Sequence, residues 1–144
     1  MIQGSCLCGG VRFEVERLEG PFELCHCSRC RKASGSSHVA GVRVRTADYR
    51  LLAGADLIAH FELPVRDTPP AYGSVFCKRC GSPVPPAEPA GESFEIAAGL
   101  LEGPLNLRPD RHIYVEYRAD WDDRLDELPG FTAEQIRDLR AGQG

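Results

Sequence analysis

Seven cysteines, at positions 6, 8, 25, 27, 30, 77 and 80, carry the chemistry for which this sequence can be read. They form a C-x-C pair, a C-x-C-x-x-C run and a C-x-x-C pair. Thiolates either ligate soft metal ions or act as nucleophiles in exchange and redox reactions. Disulfides fit poorly here: the number is odd, and adjacent C-x-C pairs would make strained bridges. The N-terminal MIQGSCLCGG has neither a basic start nor an apolar stretch, so no secretory leader is expected. The expected setting is therefore cytoplasmic and reducing, where structural disulfides are rare. Metal binding ranks above disulfides and above buried free thiols.

Spacing divides the cysteines. Cys77-Lys78-Arg79-Cys80-Gly81 has the form of a zinc knuckle, two sulfurs on a tight turn followed by a glycine able to take positive φ. Cys8-Gly9 repeats the detail. On a strand, Cys6 and Cys8 would share a face, as would Cys25 and Cys27. The economical partition is four plus three, with two zinc ions per chain. Cys6, Cys8, Cys77 and Cys80 would close a structural site of the kind that stabilises folding outright. Cys25, Cys27 and Cys30 would form a local cup whose fourth position stays open, the pattern of a catalytic site. The rival is that both sites are structural. His26, between two cysteines that share a face, should point away from the cup, so it reads as a packed or exposed histidine before a fourth ligand. Nothing local promotes His38, His60 or His112.

Three thiolates make a zinc ion electron-rich and a weak activator of water. Such an ion is better suited to accepting an incoming thiol and holding it deprotonated. The chemistry expected of the cup is thus work on a small thiol. Arg29, Arg31 and Lys32 lie beside it, either as a solvated basic turn or as a dock for the carboxylates of a thiol peptide.

Elements must bring these residues together. The alternation in VRFEVE (11–16) predicts a strand, and FELC (22–25), HVAGVRV (38–44), LIAHFEL (57–63), YGSVFC (72–77), SFEIAAG (93–99) and HIYVEY (112–117) read as further strands. SRCRKASG (28–35) reads as a helical turn capped by Ser28 and ended by Gly35. Thr132 with Gln135 forms a capping-box pattern before Ile136 and Leu139, predicting a short C-terminal helix. The turn-rich VRDTPPA separates two of the strands, and the proline-rich 83–91 segment is expected at the surface. With 15 glycines and 11 prolines among 144 residues, the expectation is a mainly β fold of antiparallel sheets. That length suits a single domain, 1–144. Net charge is −4, which counts against sequence-independent nucleic-acid binding. No apolar run approaches membrane-spanning length.

GSCLCGGVRFEV, CHCSRCRKASGS, FCKRCGSP, AAGLLEGP and RPDRHIYVEYRADW, in that order, resemble the glutathione-dependent formaldehyde-activating enzyme family, which includes centromere protein V. The resemblance runs over about residues 4–121, leaving 122–144 as a tail. It implies a zinc-ribbon-like centre in a fold related to methionine-R-sulfoxide reductases. It also implies a structural zinc on Cys6, Cys8, Cys77 and Cys80 and a catalytic zinc on Cys25, Cys27 and Cys30. The implied activity is that of a carbon–sulfur lyase that joins glutathione and formaldehyde as S-hydroxymethylglutathione, and reverses the step. Two positions depart from the family pattern: Val84-Pro85-Pro86 follows the C-G-x-P turn where an aromatic is common, and His38 replaces an apolar or aromatic residue. Two other functions stay open, a non-catalytic zinc-binding scaffold and a thiol redox protein. The second needs a resolving cysteine apart from the metal, and here every cysteine falls in a metal spacing.

Overall fold

The computed structural model describes residues 1–65, 71–123 and 127–143. Short β-rich segments, each stopped by glycine or proline, build three small sheets. The first contains β1 (Ile2–Ser5), β2 (Arg12–Val15) and β5 (Tyr49–Ala53), in the order β1-β2-β5. The second runs β8 (Ser93–Ala97), β4 (Val39–Arg45), β3 (Phe22–Cys25), β9 (Arg111–Ile113). The third is a hairpin of β6 (Ile58–Leu63) and β7 (Tyr72–Cys77). All of these pairings are antiparallel except β3 with β9. Helix α1 (Ser28–Ser34) follows β3 directly, and α2 (Ala133–Ala141) lies near the C-terminus with the expected Thr132–Gln135 capping box. The mainly β architecture expected from the sequence is the one observed.

The core has two parts. Phe13 and Val15 from β2 pack with Val44 from β4 and Ile96 from β8, all essentially inaccessible to water. Their burial joins the first sheet to the second, a gain of about 1.5–3 kcal/mol for each large apolar side chain. Cys6, Val11, Cys77 and Val84 form the other cluster, so two cysteines are core residues. Glu14 is buried on the opposite face of β2. Its carboxylate accepts from Arg50 and from Gln3 Nε2 at 3.2 Å, which satisfies a group that would be costly to bury alone.

Several local expectations need correction. HIYVEY is a strand only to Ile113. Tyr114 takes a left-handed conformation, φ 54°, and Val115–Tyr117 is a 3₁₀ turn. The cause is the partner: β3 ends at Cys25 and turns into α1, so residues past Ile113 have no ladder to join. Cys6 and Cys8 lie on the turn after β1, not on a strand. Cys27, not Ser28, caps α1, its sulfur accepting from the Cys30 N–H at 3.3 Å. The 93–99 strand stops at Ala97 and continues as a 3₁₀ turn. Val84 and Pro85 of the proline-rich loop are buried because Val84 joins the cysteine part of the core. Most of VRDTPPA lies outside the described residues.

Candidate metal centres

Two tight turns face each other at one end of the fold. In the first, Gly9 takes φ 72° and its N–H returns to Cys6 O at 2.9 Å. In the second, Gly81 takes φ 76° and its N–H returns to Cys77 O at 2.7 Å. Both are the positive-φ glycines that the knuckle pattern requires. Leu7 N–H donates to Ser82 Oγ at 3.0 Å and ties the turns together. As a result Cys6, Cys8, Cys77 and Cys80 converge, their sulfurs all within 4.8 Å of one another.

The spacing discriminates between bridges and a metal. Cys6 Sγ lies 3.5 Å from Cys8 Sγ, and Cys8 Sγ lies 3.9 Å from Cys77 Sγ. A disulfide needs about 2.05 Å, and all seven cysteines are free thiols. Thiolates on one tetrahedral ion, at metal–sulfur bonds of about 2.3 Å, sit about 3.8 Å apart. The donor set fits a metal ion. At two of the four sulfurs the surroundings favour thiolate: Val11 N–H points at Cys6 Sγ at 3.3 Å, and the hydroxyl and backbone N–H of Ser82 lower the Cys80 pKa to about 5.

Cys25, Cys27 and Cys30 form the second group, again within 4.8 Å of one another and each half-buried. Cys25 ends β3, Cys27 caps α1, and Cys30 stands one turn on. Cys25 is lowered to about 6, first by the Cys30 thiol hydrogen-bonding to it and then by the N–H and thiol of Cys27. Cys30 is correspondingly raised, by its bond to Cys25 and by burial. One of these thiols already gives up its proton readily, and a divalent ion would displace the others.

The two groups differ in what surrounds them. In the four-thiol group Cys6 and Cys77 pack against Val11 and Val84, while Cys8 is exposed and Cys80 half-buried. The three-thiol group opens into a concave wall of about 570 Å³ lined by Arg29, Val39, Gly41, Tyr72, Glu95 and Ile113 among others. A second hollow of about 660 Å³ adjoins it, sharing Cys30, Val39, Gly41, Tyr72 and Glu95. The bareness of Gly41 shapes this wall: a Cβ there would stand 3.2 Å from Glu95 Oε2, so the carboxylate lies across β4 on the side of the cup. Glu95 keeps contact with water, yet the wall displaces enough of it to raise the carboxyl pKa, with Glu23 adding to the rise. Tyr72 is raised to about 12 by burial and then by the nearby thiols. Of the basic residues beside the cup, Arg29 borders the hollow. It lies over the Tyr72 ring at 5.8 Å and donates to Pro64 O at 3.1 Å.

His26 points away from the cup, as its alternation with Cys25 and Cys27 requires. It is 1% exposed and meets His112, His38 and Asp122. His60 stands exposed on β6. Sequence reasoning singled out neither Glu95 nor Asp122. Both reach their places through tertiary structure, and no local pattern marks them.

The fold and its two sulfur groups define a mainly β, cysteine-rich domain whose thiols could hold metal ions, one group of four and one of three that borders a hollow. The family model described as glutathione-dependent formaldehyde-activating enzyme matches residues 1–117, and the chain belongs to that family. A protein of Halomonas elongata, provisionally named a glutathione-dependent formaldehyde-activating enzyme, is 31% identical over 124 residues, which is 84% of this chain and 79% of the relative. A crystal structure of a Rhodobacter sphaeroides protein superposes with a TM-score of 0.56 at 27% identity, covering 76% of this chain and 98% of that one.

Proposed function

We propose that the chain, acting as one domain over residues 1–144, is a zinc-dependent carbon–sulfur lyase that joins a small thiol to a small aldehyde. Glutathione and formaldehyde are the reactants that the family name supplies. The observation that carries this reading is the half-buried three-thiol cup opening onto a hollow walled by Glu95, Tyr72 and Arg29. Cys25, Cys27 and Cys30 are assigned to the reactive zinc, and Cys6, Cys8, Cys77 and Cys80 to a structural one. A zinc ion in the cup would supply a Lewis acid that keeps an incoming thiol deprotonated.

The remaining work falls to the chain. A new S–C bond forms as the thiol sulfur attacks the aldehyde carbon, and the carbonyl π pair moves to oxygen, which takes a proton. Glu95, held across Gly41 with its carboxyl pKa raised, is assigned to take the proton that the thiol gives up and to deliver it to this oxygen, the same two transfers running backward in reverse. Arg29 at the rim offers its guanidinium to a substrate carboxylate. Nothing is oxidised, which separates this reading from thiol redox chemistry. A reducing, cytoplasmic setting suits seven free thiols.

Cys27→Ser tests the reading, because serine keeps the α1 cap while removing a sulfur from the cup. The rate of S-hydroxymethylglutathione formation from ¹³C-formaldehyde and glutathione is followed by exchange NMR against the spontaneous rate. The expected result is loss of all acceleration and of one zinc per chain, with the fold intact. Unchanged acceleration would overturn the lyase reading. Unfolding of the variant would favour a purely structural second site.

A further inference from the structure

We propose a third metal site, of nitrogen and oxygen ligands, made by His26, His38 and Asp122. One ligand atom from each lies within 4.8 Å of the others. The three come from separate elements: the β3–α1 junction, the residue before β4, and the 3₁₀ turn at Asp120–Asp122. The sulfur groups use none of them.

The buried atoms are the reason. His26 Nδ1 and Asp122 Oδ2 face each other at 3.1 Å, with side chains 1% and 6% exposed. Neither atom has a hydrogen-bond partner of acceptable geometry, although orphaned buried polar atoms are rare. Two ligands on one ion, at bonds of about 2.0–2.2 Å, stand about 3.3–3.6 Å apart in tetrahedral geometry and about 2.8–3.1 Å apart in octahedral geometry. The observed pair has the octahedral spacing.

The outer nitrogens support the same reading. His26 Nε2 lies 2.8 Å from His112 Nδ1, and His38 Nδ1 lies 2.8 Å from Ser37 Oγ. A metal-binding histidine characteristically donates its other ring N–H to a fixed acceptor, which sets the tautomer. His112 Nδ1 and Ser37 Oγ can serve as those acceptors, leaving His26 Nδ1 and His38 Nε2 as lone-pair donors. Arg118 Nε approaches Asp122 Oδ2 at 3.8 Å, too far for a direct hydrogen bond, and its side chain is 35% exposed, so water screens its charge. Two imidazoles and one carboxylate suit a divalent first-row transition ion. Bound there, it would clamp the 120–122 turn and β4 to the back of the strand that presents the cup.

Cobalt(II) added to the protein as isolated, with its cysteine groups loaded, tests the site by absorbance and metal count. The expected result is one further equivalent per chain, seen as visible d–d bands without sulfur-to-cobalt charge transfer in the near ultraviolet. His38→Asn and the isosteric Asp122→Asn should each lose that equivalent. The proposal is overturned if wild-type protein takes up no cobalt or takes it up only with sulfur absorbance. It is equally overturned if either variant, folded by circular dichroism, retains the sulfur-free equivalent. Should one variant fail to fold, the other decides.

Discussion

Glu95 shows what a residue's surroundings add to its type. In the sequence it is one acidic residue among 21. In the fold it is the carboxyl that crosses Gly41 toward the thiol cup, and burial raises its pKa. A carboxyl with a raised folded pKa opposes folding when ionised. The penalty is absent below the unfolded value of about 4.3 and complete above the folded value. Glu95→Gln should therefore stabilise the protein at pH 7, and the gain should vanish as pH falls through that window. Urea midpoints measured across this range check it; a gain that persists at low pH would contradict the assigned cause. The cysteines were legible from spacing alone because knuckle turns are local. Glu95, His38 and Asp122 were not, since where they stand depends on strand order and on a 3₁₀ turn 96 residues from His26 by numbering.

At the level of elements, the strand pattern was legible where both neighbours persist and failed where one leaves. HIYVEY alternates cleanly, but β9 needs β3 beside it and loses it after Cys25. Conversely β1 is only four residues and carries a glycine, so its sequence gives little strand signal. Its register explains the glycine: Gly4 pairs with Phe13, and a Cβ on Gly4 would clash with the Phe13 ring, most closely at its Cζ. The ring covers the bare backbone and is itself fully buried against Val15, Val44 and Ile96. Gly4→Ala must push a packed aromatic out of place, at a cost of about 1–3 kcal/mol. Chemical denaturation measures that loss. Gly4→Ala combined with Phe13→Leu should cost less than the two single changes added together, because the smaller side chain removes the clash.

Across the whole molecule the two sulfur groups should respond differently to metal removal. Cys6 and Cys77 are core residues, brought together across about 70 positions of chain and packed with Val11 and Val84. The mainly β fold around them has no disulfide. Structural zinc sites contribute apparent binding energies of about 10–16 kcal/mol, comparable to or larger than a domain's net stability of about 5–15 kcal/mol. An ion held by the four thiols would therefore be needed for the fold, and its removal should unfold the protein. The cup draws its three ligands from a six-residue stretch between β3 and α1 that backbone hydrogen bonds already shape. An ion held there would face the hollow and have fewer protein ligands to hold it. A chelator titration should thus remove metal in two phases. The first leaves far-ultraviolet circular dichroism unchanged and exposes three thiols to a colorimetric reagent; the second coincides with loss of the β signal and exposure of the other four. A single phase, with structure and all seven thiols lost together, would make both ions structural and return the chain to the scaffold reading.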